Sequence, residues 1–234
     1  MADDITLQRF FEILTEGDRP AARQFVDEQR EKYDSPTDLV GDLFWPVYEL
    51  SDRLYREDQL TPLTFNVVTR LLRVMLDRVG ADENPEPQGE SRRILAVCGP
   101  TDADELGAQM AVDLIEAAGN LVVFAGGGMA FDEVHARVQE TQPDVLLIFC
   151  SAPSDLPHIR QTIDLMREIG ACQKTQIVVG GGVFNRAEGL AQEIGADLWA
   201  EDPIEVVDMV VHEAGHRAPE DQRTVGRIRG RSAA

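Results

Sequence analysis

Apolar positions along the chain follow two rhythms, and the change falls near residue 90. Up to residue 80 the spacing is helical. Leu7, Phe10, Phe11 and Leu14 recur at helical intervals, and Ala21, Ala22, Phe25 and Val26 continue on a second helix. Ser35-Pro36-Thr37 is a helix start with proline in the first turn, opening a third helix through Leu39, Val40, Leu43, Val47, Leu50 and Leu54. Thr61-Pro62 opens a fourth through Val67, Val68, Leu71, Leu72, Met75, Leu76 and Val79. Four amphipathic helices with short turns predict an N-terminal four-helix bundle over residues 1–80.

Residues 81–91 are polar, carry two prolines and predict a linker. Beyond it, apolar runs of strand length at 94–98, 121–124, 145–149, 177–179 and 197–199 alternate with helical stretches. Those stretches lie around 104–118, 131–141, 155–169, 186–194 and 203–214. This alternation predicts an α/β domain over residues 92–216, a five-stranded parallel flavodoxin-like sheet with helices on both faces. Ligands of such sheets bind outside the carboxyl ends of the strands.

Charge narrows the partners. With 22 basic and 42 acidic residues the chain carries a formal −20, which repels nucleic acid and anionic membranes. The exception is residues 217–234, where Arg217, Arg223, Arg227, Arg229 and Arg231 face only Glu220 and Asp221. Such a composition predicts a disordered, solubilising basic tail, with a nucleic-acid arm as the lesser alternative. No apolar run reaches a membrane span, and the acidic N-terminus lacks a secretory signal, so a cytoplasmic location is expected. Cys98, Cys150 and Cys172 are without paired spacing, which suits reduced thiols.

The strand ends hold the candidate chemistry. They carry Gly99-Pro100-Thr101-Asp102-Ala103-Asp104-Glu105-Leu106-Gly107, then Ala125-Gly126-Gly127-Gly128, Ser151-Ala152-Pro153-Ser154 and Gly180-Gly181-Gly182. Glycines there let a flat ligand or a phosphate approach the backbone. Neither glycine triplet is followed by Lys-Ser/Thr, and no G-x-G-x-x-G follows the first strand, so the P-loop and dinucleotide fingerprints fail. A phospho-receiver reading fails as well, because Cys150-Ser151 and Ala200-Glu201 stand where its Asp and Lys belong.

Asp102-x-x-x-x-Gly107, then Ser151, then Gly180-Gly181 resembles the cobalamin-binding domain of methionine synthase, corrinoid methyltransferase carriers and light-sensing regulators. That family's motif is D-x-H-x-x-G with a later serine and a Gly-Gly pair. Here 43 residues separate Gly107 from Ser151, and 26 separate Pro153 from Gly180. The helical half resembles the cap of the same proteins, so the likeness runs from residue 18 to 211. The resemblance implies a corrinoid held between cap and strand ends by Asp102, Asp104, Gly107, Ser151, Gly180 and Gly181.

The departures concern cobalt. The family's cobalt-binding histidine falls on Asp104, whose carboxylate is a hard, poor substitute for imidazole. Asp102, which would orient that histidine, is left beside a second carboxylate, and two acids facing one site favour a raised pKa for one. In the light-sensing relatives a Trp and a Glu-His pair cover the upper face. Those positions fall on Tyr55 and on Phe65-Asn66, while Trp45 is the nearest tryptophan able to cover a ring. His158, near the predicted mouth, is the replacement ligand to consider, against the plainer reading of a surface histidine. His135 reads as a solvated helical residue, His212 and His216 as an exposed pair, and Cys98 and Cys150 as buried thiols at neighbouring strand ends.

No nucleophile with a base, acid–base pair or metal cluster is evident, so catalysis is not expected. The expected function is a stand-alone tetrapyrrole sensor or regulator, with cobalamin as ligand and a protein as partner. The same pocket could hold haem or a bilin, or serve without ligand as an interaction module. No DNA-binding motif precedes the cap, and a homo-oligomer is compatible with the surfaces predicted.

Overall fold

The computed structural model describes residues 3–80, 90–169 and 174–219. Most of the linker, Cys172 and residues 220–234 of the basic tail lie outside them.

Helix α1 (Asp4–Glu16) starts where the Asp3 carboxylate accepts the Thr6 N–H at 2.8 Å and stops at Gly17, left-handed at φ 71°. The Asp18 carboxylate starts α2 (Arg19–Arg30) in the same way. The third helix differs from the expectation. It runs as α3 (Pro36–Leu39), widens into a π-turn over Val40–Phe44, and resumes as α4 (Trp45–Arg56). Pro46 lacks the N–H that would bond to the Asp42 carbonyl, and Trp45 instead donates to Val40. One extra residue in a turn rotates everything beyond it by about 100°. α5 (Pro62–Gly80) completes the cap.

The sheet contains β1 (Arg93–Cys98), β2 (Leu121–Gly127), β3 (Val145–Phe149), β4 (Gln176–Gly180) and β5 (Leu198–Ala200). All pairs are parallel in the order β2-β1-β3-β4-β5, the flavodoxin-like arrangement. Alternate strand residues feed two cores. Ile94, Ala96, Val145, Leu147 and Val178 pack under α6 (Asp102–Ala117) and α11 (Pro203–His212). Leu95, Val97, Leu146, Ile148 and Val179 pack under α7 (Phe131–Thr141) and α8 (Leu156–Ile169). The single helix expected at 186–194 is two short ones, α9 (Gly182–Asn185) and α10 (Leu190–Glu193), separated near Gly189 at φ 80°.

Cap and sheet share one core. Leu106, Ala108, Met110 and Leu114 of α6 and Phe149 of β3 join the cluster built by Phe10, Phe44, Leu72 and Met75 of the cap. No helix among the described residues is long and apolar enough to cross a membrane.

Candidate functional site

Every feature singled out at the strand ends is fixed by the way a strand hands over to its helix. β1 ends at Cys98, and the Gly99 N–H is captured by the Phe149 carbonyl at 2.9 Å. Thr101 then caps α6. Its hydroxyl accepts the Asp104 N–H at 3.1 Å and donates to Asp104 Oδ2 at 2.5 Å, while its own N–H points at that oxygen from 3.4 Å. Position 104 is therefore spent on a capping box.

The two acids of the loop part company, which corrects the expectation that both face one site. Asp104 is buried, with Oδ1 lacking any partner among the described residues. Asp102 is exposed and bonds the Arg70 guanidinium at 3.3 Å. Residues two apart on a helix point to different sides. The carboxylate that Asp104 does meet belongs to Asp155, in a 3-10 turn (Pro153–Asp155) after β3. A Cβ placed on Gly99 would lie 2.6 Å from Asp104 Oδ2 and 3.0 Å from Asp155 Oδ2. Burial, then the Asp104 charge, pushes the Asp155 carboxyl up.

Gly107, Gly180 and Gly181 do form a close-approach surface. A Cβ on Gly107 would meet the Phe149 ring at 2.7 Å and the Tyr48 hydroxyl at 3.0 Å. One on Gly180 would meet the same ring at 3.4 Å. Gly181, at φ 102°, passes so close to Cys150 that no side chain fits. The space beside these glycines is filled by aromatic rings. Trp45 meets Phe149 edge-on at 6.3 Å and lies 5.2 Å from Tyr48, whose hydroxyl donates to the Ala103 carbonyl at 3.0 Å. Trp45, the tryptophan considered for covering a ring, is itself buried against Phe149 and Tyr48. Tyr55 and Phe65 stack on each other at 4.3 Å, and Asn66 is exposed.

At the rim, Arg186 donates to the Ser151 carbonyl at 2.5 Å, and Arg73 bridges Glu105 at 3.4 Å and the Asp102 carbonyl at 3.3 Å. Together with Arg70, Arg73 ties α5 of the cap to the start of α6. Asp155, Arg186, Tyr48 and Phe149 were not singled out from sequence. Their roles come from contacts across long sequence separations, and Phe149 read simply as the end of an apolar strand.

The histidines divide. His158 is exposed, as are His212 and His216, which lie 3.9 Å from Asp208 and Glu213 respectively. His135 is buried with Nε2 unpartnered, a correction to its solvated reading. It shares the buried side of α7 with Val134 and Val138. No cluster of metal-ligand type exists among the described residues. Burial pushes the Cys98 and Cys150 thiols up to about 12, so both are neutral thiols in the protein without a metal. A cavity of about 910 Å³ opens elsewhere, beside Arg93, Asn120, Leu121 and Val123 at the amino ends of β1 and β2. It lies at the opposite end of the sheet from the glycine turns and shares no lining residue with them.

A helical cap sharing its core with this sheet, above glycine-lined carboxyl ends, defines a ligand-binding protein of the capped flavodoxin-like class. The B12 binding domain model matches residues 92–208, and the chain belongs to that family. Cobalamin is the ligand class that the family names. Among curated proteins it is similar to dimethylamine corrinoid protein 3 of Methanosarcina mazei, 27% identical over 128 residues. That match covers 54% of this chain and 75% of the relative. Dimethylamine corrinoid protein 1 of Methanosarcina acetivorans is 26% identical over 128 residues, covering 54% of this chain and 59% of that one. The chain's fold is that of the Methanosarcina barkeri monomethylamine corrinoid protein, with a TM-score of 0.77 at 12% identity. The alignment covers 90% of this chain and 99% of the other, cap included.

A corrinoid held by its periphery and tail would lie along the Gly107, Gly180 and Gly181 surface with the Phe149 ring moved aside. The position that the resemblance gives to the cobalt-binding histidine holds a capping aspartate, which does not fit imidazole ligation from that residue.

Proposed function

We propose that this protein holds a cobalamin between its cap and the carboxyl ends of the sheet, without a histidine on the metal. It acts as a sensor that reports occupancy to a protein partner. The observation that carries the reading is Asp104, a carboxylate locked in the α6 capping box at the position of the family's cobalt-binding histidine. A bound cobalamin would supply a visible chromophore and a metal centre that exchanges its axial ligands. The chain's own residues supply the rest. Gly180 and Gly181 admit a nucleotide tail beside β4, once the Phe149 ring leaves the space next to Gly107. Ser151 borders the same opening under Arg186. Arg70 and Arg73 link the cap to the loop beneath the ligand, so movement of that loop is felt by the cap. Corrinoid relatives make a methyltransferase a reasonable partner, and we favour a regulatory contact because a carboxylate cannot replace imidazole beneath cobalt.

One observation favours a second reading. Trp45, Tyr48 and Phe149 fill the space beside the glycines, as they would in a ligand-free interaction module. Titration of the protein in the dark with hydroxocobalamin, adenosylcobalamin, haemin and biliverdin separates the two by visible spectrum. Saturable binding of a cobalamin is expected. No response to any of them overturns the sensor and leaves the module.

A further inference from the structure

Two carboxylates crowd the single side-chain-free position at the end of β1. Asp104 hangs from the first turn of α6, Asp155 from the turn after β3, and both would collide with a Cβ on Gly99. Asp104 is only 1% exposed, yet its Oδ1 has no hydrogen-bond partner, and neither has the buried Oδ2 of Asp155. A buried acceptor without a donor is unfavourable, so such a pair calls for an external donor.

Three nearby hydroxyls are committed, and His158, close enough to act on the Asp155 charge, is exposed and makes no hydrogen bond to it. The Thr101 hydroxyl serves Asp104 Oδ2, the Ser154 hydroxyl faces Asp155 Oδ1 at 3.4 Å, and the Tyr48 hydroxyl serves the Ala103 carbonyl. The Cys98 and Cys150 thiols are weak donors. Two oxygens from different loops thus remain, one of them on the residue to which the resemblance assigns the family's cobalt-binding histidine.

Resting on the cobalamin reading above, we propose that Asp104 and Asp155 form a paired acceptor for a water molecule carried on the lower face of the corrinoid, so that the protein selects aquated corrinoids. Carboxylates are poor cobalt ligands but strong acceptors from a metal-bound water, whose O–H groups are polarised by the metal. Asp104, fixed by Thr101, sets the position, and Asp155 adds the second acceptor from the β3 side. The corrin amides are a competing source of donors, which the test separates.

Diaquacobinamide and dicyanocobinamide carry the same amides and differ in the ligands on cobalt. Titrated by visible difference spectrum, the wild-type protein is expected to bind the diaqua form about tenfold more tightly, the scale of one charge-assisted hydrogen bond. Asp104→Asn and Asp155→Asn should each cut that preference to within about threefold. Both amides keep a capping or turn oxygen, and circular dichroism checks the fold. Equal binding of the two corrinoids by wild type, or a preference unchanged in both variants, overturns the paired acceptor while leaving cobalamin binding intact. Failure of every corrinoid to bind wild type overturns the sensor reading and this inference together.

Discussion

The two ends of the sheet treat their acids in opposite ways. At the amino ends, acidic and amide side chains are used by the backbone. Asp144 accepts the Arg93 N–H at 2.8 Å, and Asp197 accepts those of Ile177 and Ala218, each at 2.8 Å. Gln176 donates to the Glu213 and His216 carbonyls, and Arg92 holds Val210 and Gln176. At the carboxyl ends Asp104 Oδ1 and Asp155 Oδ2 stay unpartnered, the latter against Gly99. The first end is a clasp that closes the C-terminal segment onto the sheet. The second leaves polar groups unsatisfied, as binding surfaces do.

The largest effect should come from breaking the clasp. Asp197→Ala would strip a buried acceptor from two backbone N–H groups and from Arg167, and should cost about 3–5 kcal/mol in urea unfolding. A loss below about 1 kcal/mol would remove the contrast between the ends.

A smaller effect is expected at the plugged crevice. Phe149→Leu should cost about 1–2 kcal/mol through lost packing, yet tighten cobalamin binding by clearing the space beside Gly107. Weaker binding in this variant would make Phe149 a contact of the ligand instead of an obstacle.

The smallest effect is a slope. Asp155 has its carboxyl pushed above its ordinary value of 3.8 by burial and by Asp104. The folded state therefore holds that proton more tightly than the unfolded chain. The contribution favours folding at acid pH and is lost as pH rises through the elevated pKa. Asp155→Asn should flatten this part of the stability profile and gain less than about 1 kcal/mol at neutral pH, since the residue is partly exposed. Thermal unfolding from pH 3 to 7 reads it, and an unchanged slope would mean that the folded protein does not raise the Asp155 carboxyl.

Much of the fold was legible because periodicity carries it. The helical cap and the five strands stand where the helical spacing and the short apolar runs placed them. The widened turn at Val40–Phe44 was not legible, since a π-turn leaves the apolar pattern almost intact and only Pro46 hints at it. At the site, the spacing from Gly107 to Ser151 to Gly180 pointed to loops that the parallel sheet brings together at one end. What it could not give was orientation. Asp102 and Asp104 are two residues apart in sequence, yet one meets Arg70 in solvent and the other is buried beside Gly99. Asp155 and Arg186 came into view only through tertiary contacts, because nothing local distinguishes them from other loop residues. His135 was misread because α7 buries it beside Val134 and Val138 against the sheet.

The central claim is a corrinoid held without protein imidazole on its metal. Electron paramagnetic resonance of the bound cob(II)inamide tests it most directly, since that corrinoid lacks a nucleotide base and any nitrogen splitting must come from the protein. The account predicts a cobalt spectrum without nitrogen superhyperfine structure, unchanged by His158→Ala. A nitrogen triplet that vanishes in His158→Ala would contradict it and put a histidine back on the cobalt.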